Sequence, residues 1–247
     1  MSYESLAAFY DRLQDAGTDY DAIGAYYHKK LLQNGAGSGI LLDLACGTGV
    51  LSRYFAEKGY DVIGADISAE MLSEAMKQPQ PNIQYLRQDM TKLDLFGTID
   101  ACICTLDAFN HLPDQAALKQ AFSRISLFMN PGGAFVFDIN TLYKHEIVLA
   151  GNTFVYDLDD IYCVWTNSYC EEGKVEMTLD IFGLEAESNL WKRHKESVFE
   201  RTYPLSEIAQ MLKEVGFGEI KNYDWLSDSP ANETSEKAVF TAVKLEE

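Results

Sequence analysis

Three carboxylates stand where short apolar runs end. The run Ile40 to Leu44 carries Asp43 and breaks into Ala-Cys-Gly-Thr-Gly, the run Asp61 to Asp66 closes on Asp66, and Ile83 to Leu86 leads into Arg-Gln-Asp-Met with Asp89 and Met90. Gly47 and Gly49 let the backbone pass close beneath a ligand, and the helical pattern Val50, Leu51, Tyr54, Phe55 that follows offers free amides to electron-rich groups. A carboxylate at Asp43 would repel a pyrophosphate and attract an ammonium group, so the ligand of this corner should carry a positive charge. Asp66 lies 23 residues beyond Asp43, where a carboxylate can accept both hydroxyls of a ribose. Asp89 is placed to hydrogen-bond an adenine and Met90 to pack against it.

The elements that must position these groups follow from hydrophobic period and punctuation. Three strands end at the carboxylates, a fourth spans Ile99 to Thr105, and Asn130-Pro131-Gly132-Gly133 precedes a fifth, Ala134 to Asp138. Strands alternating with helices imply a mainly parallel sheet covered on both faces. Residues 1 to about 35 are helical by pattern, and Gly35-Ala36-Gly37-Ser38-Gly39 links them to the first strand. From 152 to 203 the period changes to two, clearest in Lys174 to Leu184, which predicts antiparallel strands with one buried face. A helix from Leu205 to Val215 and two closing strands, Glu219 to Trp225 and Lys237 to Lys244, complete the chain.

At Asp43-x-Ala45-x-Gly47-x-Gly49 and the strand-end carboxylates the chain resembles the class I S-adenosylmethionine-dependent methyltransferases, with Ala45 where many members have glycine. The resemblance covers roughly residues 36 to 140 and the C-terminal stretch. It implies an α/β fold: a Rossmann-like, seven-stranded, mainly parallel sheet with helices on both faces, plus a small inserted antiparallel β-sheet. The implied units are a cofactor-binding core with an N-terminal helical cap (1–151 and 204–247) and an inserted lid or acceptor unit (152–203). The implied cofactor is S-adenosyl-L-methionine, contacted by Asp43, Ala45, Gly47, Gly49, Asp66, Ile67, Asp89, Met90 and Thr105. His111, after the fourth strand, and Tyr10, in a Tyr10-Asp11 element similar to those that close over the cofactor in related enzymes, are the candidates beside the transferred methyl. His111 has an equally plain reading as a structural histidine, and Tyr10 as core packing. Asp138, Asn140 and Tyr143 are placed to touch an acceptor; Trp165, Trp191 and Tyr169 line the insertion or fill its core. His145 and His194 read as exposed and His28 as surface. An insertion at this point resembles small-molecule methyltransferases, notably N,N-dimethyltransferases of amino sugars.

Composition bounds the partners. A net charge of −18, from 38 acidic and 20 basic side chains, without a Lys/Arg cluster able to track a phosphate backbone, argues against nucleic acid. No stretch approaches a membrane span and no secretory signal is evident, which predicts a cytoplasmic protein acting on a small molecule. The five cysteines lack metal-type spacing, and Cys102-x-Cys104 is set aside as a clamp on the expectation that its side chains leave opposite strand faces; no metal is expected. The inserted sheet reads as a lid or as a surface joining two copies in a homodimer. Two other functions stay open at this point. An NAD-dependent oxidoreductase would use Gly47-x-Gly49-x-x-Ser52 with Asp66 on the ribose, against which Asp43 argues. A non-catalytic protein would bind the cofactor and work through partner contacts.

Overall fold

Parallel strands covered on both faces are near-continuous apolar runs, and β1 (Ile40–Leu44) fits with Leu41, Leu42 and Leu44 all buried and Asp43 as its one polar residue. It centres a seven-stranded sheet in a computed structural model that describes residues 13, 18–171, 173–185 and 188–246. The other strands are β2 (Asp61–Asp66), β3 (Ile83–Arg87), β4 (Ile99–Cys104), β5 (Met129–Asn140), β10 (Phe217–Asp224) and β11 (Lys237–Lys244), in the order β10-β11-β5-β4-β1-β2-β3. β1 to β5 pair in parallel, and β11 runs antiparallel between β5 and β10. A second sheet holds β6 (Thr153–Asp157), β7 (Ile161–Glu171), β8 (Lys174–Glu185) and β9 (Leu190–Arg201), antiparallel in sequence order.

Alternation along the central strands sorts the core into two layers. Leu42, Leu44, Cys102, Cys104, Phe135 and Phe137 face α4 (Gln115–Phe128) and α5 (Leu205–Glu214). Leu41, Ala101, Ile103 and Val136 face α1 (Tyr20–Gln33) and α2 (Val50–Glu57). Cys102 and Cys104 therefore share a face, contrary to expectation, because residues two apart on a strand point the same way. Among the described residues no group of three or more His, Cys, Asp or Glu is placed to hold a metal ion. The helices start where the sequence supplies caps: Asp19 accepts from the Ala22 amide, Asp114 from that of Ala117, and Ser68 opens α3 (Ala69–Ala75) by accepting from Met71.

The insertion is four-stranded, with Ile161, Cys163, Val175, Met177, Ile181 and Val198 on its buried face. Trp165 packs there, whereas Tyr169 and Trp191 are exposed and belong to no core. β5 reaches beyond the expected Asp138 to Asn140, and a π-helical turn, Lys144–Leu149, leads from it into the second sheet. His145 in this turn is fully buried, not exposed: its Nδ1 faces the Gly173 carbonyl at 3.1 Å and its Nε2 the Glu200 carboxylate at 3.0 Å. His28 is half-buried, edge-on to Phe55 and Tyr60. His194 is also half-buried, not exposed, because it lies opposite Ile181 on the same face of the second sheet. Tyr10 lies outside the described residues. No helix among the described residues is long and apolar enough to cross a membrane.

Candidate active site

A cavity of about 190 Å³ opens at the C-terminal ends of β1, β2 and β4, the edge at which open α/β sheets bind ligands. Its wall brings together Asp43, Ala45, Gly47, Asp66, Ile67, Asp89, Met90, Thr105 and His111, and adds Tyr20 from α1 and Gln88. Gly49 is not on the wall. It caps α2 at φ +76°, and a Cβ there would stand 2.3 Å from the Tyr85 hydroxyl, so glycine is required by packing against β3. A Cβ on Gly47, at φ +54°, would meet nothing within 4 Å. Ala45 shares the left-handed conformation at φ +58°, a strain of roughly 1–2 kcal/mol that glycine would avoid.

Asp43 is enclosed. Ser52, one turn into α2, donates to its Oδ2 at 2.5 Å, while Oδ1 is buried without a hydrogen-bond partner. Burial pushes its carboxyl up to about 7, only partly offset by the Ser52 hydrogen bond. An acceptor oxygen left bare in the floor of a cavity lacks the compensation buried polar groups normally find. An ammonium group would supply it. Asp66, also raised by burial, accepts the Gly47 amide at 2.9 Å on one oxygen and the Ser68 amide at 2.8 Å on the other. Two backbone donors leave about half of its acceptor capacity for ligand hydroxyls. Asp89 caps the turn Met90–Lys92 through one oxygen, which takes the amide and hydroxyl of Thr91.

At the far end of the cavity the chain leaves β4 through Leu106 and Asp107, both left-handed at φ +56°. Asp138 holds this turn: fully buried at the end of β5, it accepts the amides of Leu106 at 2.7 Å and Asp107 at 2.8 Å, and the Tyr27 hydroxyl at 2.7 Å. It is thus engaged by the protein instead of facing an acceptor. Asn140 donates to Asp107 at 2.6 Å and to Glu200 of β9 at 2.7 Å, which joins the turn to the second sheet. Lys237 closes the group, 3.4 Å from Asp107, whose carboxyl lies well below the usual range because the charges around it, Lys237 and Lys144 foremost, outweigh its burial. Sequence reasoning singled out Asp138 and Asn140 by placement alone and missed the hold of Ser52 on Asp43 and the roles of Asp107 and Lys237.

A bare acidic oxygen, a glycine turn with open space before it and a second carboxylate with free lone pairs fit S-adenosylmethionine, which offers an ammonium, a ribose and an adenine. Comparison with known proteins agrees. A methyltransferase domain family matches residues 41–133. A putative methyltransferase of Geobacillus sp. (strain WCH70) is 32% identical over 249 residues, covering 99% of this chain and all of its own. A crystal structure of an S-adenosylmethionine-dependent methyltransferase from Clostridium acetobutylicum superposes with a TM-score of 0.87 at 31% identity, covering 99% of both chains. Over a shorter stretch, 53% of this chain and 51% of its own, a Streptomyces fradiae dTDP-3-amino-3,6-dideoxy-alpha-D-glucopyranose N,N-dimethyltransferase is 31% identical. The chain belongs to the class I S-adenosylmethionine-dependent methyltransferases.

Proposed function

We propose that this enzyme transfers the methyl group to nitrogen or oxygen of a small-molecule acceptor, with the second sheet closing over that acceptor. The observation that carries this reading is the continuity of the cavity from Asp43 and Asp66 to the Thr105–Leu112 segment, the wall tied through Asn140 to the inserted sheet. In this reading Asp43 Oδ1 takes the cofactor's ammonium, Asp66 its ribose hydroxyls, Asp89 and Met90 its adenine, and the backbone of Ala45 and Gly47 passes beneath its methionine part. Ile67 and Thr105 complete the wall. The bound cofactor supplies an already activated methyl, so the protein's contribution is mainly alignment and exclusion of water. An amine acceptor needs only to shed its proton, whereas a hydroxyl needs a base, and His111 is the histidine on the wall. Tyr10 is kept as a candidate gate.

The relative that acts on an amino sugar supports a small acceptor, as does the excess of negative charge, which disfavours a phosphate backbone. The test is a screen of amine and hydroxyl metabolites for release of S-adenosylhomocysteine, alongside calorimetric titration with the cofactor and with NAD. Turnover of a small amine or alcohol is expected. Tight cofactor binding with no turnover across the screen, or preferential binding of NAD, would overturn the reading.

A further inference from the structure

A second cavity, of about 470 Å³, lies on the same edge of the main sheet, between the ends of β5 and β10 and the loop that leads into β11. Lys144, Trp225, Asn232, Thr234, Ser235 and Lys237 line it, with Asp224 and Glu236. One residue of its lining, Lys237, reaches the turn that bounds the cofactor cavity. Trp225 packs in the same apolar cluster as Leu106 and Tyr20, which line the first cavity, and Lys237 reaches Asp107, the residue between Leu106 and Ala108 of that wall.

The charges of this second cavity are unevenly matched. Lys237 is compensated by Asp107 at 3.4 Å and Asp138 at 3.5 Å, and lies 5.0 Å above the Trp225 ring. For Lys144 no carboxylate lies within 4.0 Å of the ammonium among the described residues. Burial and the charge of Lys237 push its ammonium below the usual range, outweighing the pull of Asp107, Glu200 and Glu236. The carboxylates around it attract it only from a distance: Asp107, Glu200 and Glu236 favour its charge without an ion pair, Asp224 accepts the Trp225 amide, and Glu236 is exposed to solvent. The polar loop is internally bonded, with Asn232 accepting both the amide and the hydroxyl of Thr234, so its shape is set before anything enters.

We infer that this cavity receives an oxyanion, a carboxylate or phosphate carried by the acceptor, with Lys144 as its counter-charge and Trp225 as an apolar wall. The inference deepens the proposed transfer to a small acceptor and rests on it for the identity of the ligand. An acceptor anchored here by its anionic end would present its nucleophilic end toward the Leu106–Asp107 turn and the cofactor cavity beyond.

The probes are sodium acetate and sodium phosphate at constant ionic strength, read by the indole ¹H–¹⁵N signal of Trp225, assigned with Trp225→Phe. A saturable shift with a dissociation constant in the millimolar range is expected from at least one anion, and the stronger of the two identifies the group. Lys144→Gln and Lys144→Met should each weaken it at least fivefold and Lys144→Arg should retain it, with cofactor affinity unchanged in all three. No saturable shift with either anion, or equal shifts in the neutral variants, would overturn the inference. Saturable binding in a protein that turns over no acceptor would leave the anion site standing and refute the proposed function instead.

Discussion

Asp43 offers a test in which stability and binding move in opposite directions. Its carboxyl lies at about 7 in the folded chain against 3.8 for an unperturbed aspartate. A raised value favours folding while the group is neutral. That contribution is complete below pH 3.8 and is lost as the pH rises through about 7, a swing on the order of 4 kcal/mol. Asp43→Asn cannot ionise, and its amide keeps an oxygen for the Ser52 hydroxyl. The unfolding free energy of the variant relative to the wild type should therefore climb from pH 4 to pH 8 by up to about 4 kcal/mol, measured by urea denaturation at fixed ionic strength. The same change removes the charged partner of the cofactor's ammonium, a charge-assisted bond worth about 1.5–3 kcal/mol, or roughly 10- to 150-fold in affinity. In the wild type, binding below pH 7 should release a proton, seen as a calorimetric enthalpy that changes with the ionisation enthalpy of the buffer. A pH-independent stability difference, or a variant that binds the cofactor as the wild type does, would refute the assignment of a bare carboxylate in the cavity floor.

The two glycines of the turn should separate cleanly. Gly47→Val places its side chain in open space on the cavity wall, so cofactor affinity should fall at least tenfold while stability loses only the left-handed strain of about 1–2 kcal/mol; Gly49→Val drives a Cβ into Tyr85 and should destabilise the fold itself, by about 3 kcal/mol or more. Calorimetry and thermal melts on both variants check this, and unimpaired binding by Gly47→Val would contradict it. Asp66→Ala strips the Gly47 and Ser68 amides of their acceptor and should cost about 2–3 kcal/mol of stability in addition to about tenfold or more in cofactor affinity. In Asp138→Asn a single amide oxygen replaces two that serve the Leu106 and Asp107 amides and the Tyr27 hydroxyl, so hydrogen exchange at those two amides should accelerate by about one to two orders of magnitude. Unchanged protection would mean the turn holds itself.

What the sequence makes legible is what local period and punctuation encode. Short apolar runs ending in carboxylates had to be parallel strands with acidic tips at one edge, and the period of two from 152 to 203 had to be a half-buried antiparallel sheet. The main sheet, its hairpin edge and the second sheet follow from those signals. Gly49 was legible as a turn glycine but not in its reason, because Tyr85 comes from two strands away. Asp138 and Asn140 were legible by placement, but the buried polar group they join was not. Asp107, Asp138, Asn140, His145 and Glu200 are common surface residue types, and only the pairing of β4 with β5 and the return of β9 bring them together. His145 reads as exposed because a single π-helical turn after a strand has no apolar period to mark it.

That buried group also decides how the second sheet can be tested. Excising residues 152–203 would remove Glu200 and Gly173, leaving His145 without either partner and the Asn140 amide with Asp107 alone, and would take away the Arg201 carbonyl that Asn110 donates to at 3.0 Å. Loss of turnover after such an excision would report a collapsed turn as readily as a missing lid. Glu200→Gln is the cleaner perturbation. It keeps the volume and an acceptor oxygen for Asn140 and His145, which already share Oε2, and by removing the carboxylate charge it loosens the sheet's hold on Asn140 without touching Asp43, Asp66 or the glycine turn. If the second sheet acts on the acceptor, cofactor affinity should stay within about twofold, as for sites with no shared partners, while the acceptor's KM or kcat worsens by about tenfold or more. A parallel loss of cofactor affinity would show that Asn140 transmits the disturbance through Asp107 into the cofactor cavity, and that lid and core act as one unit.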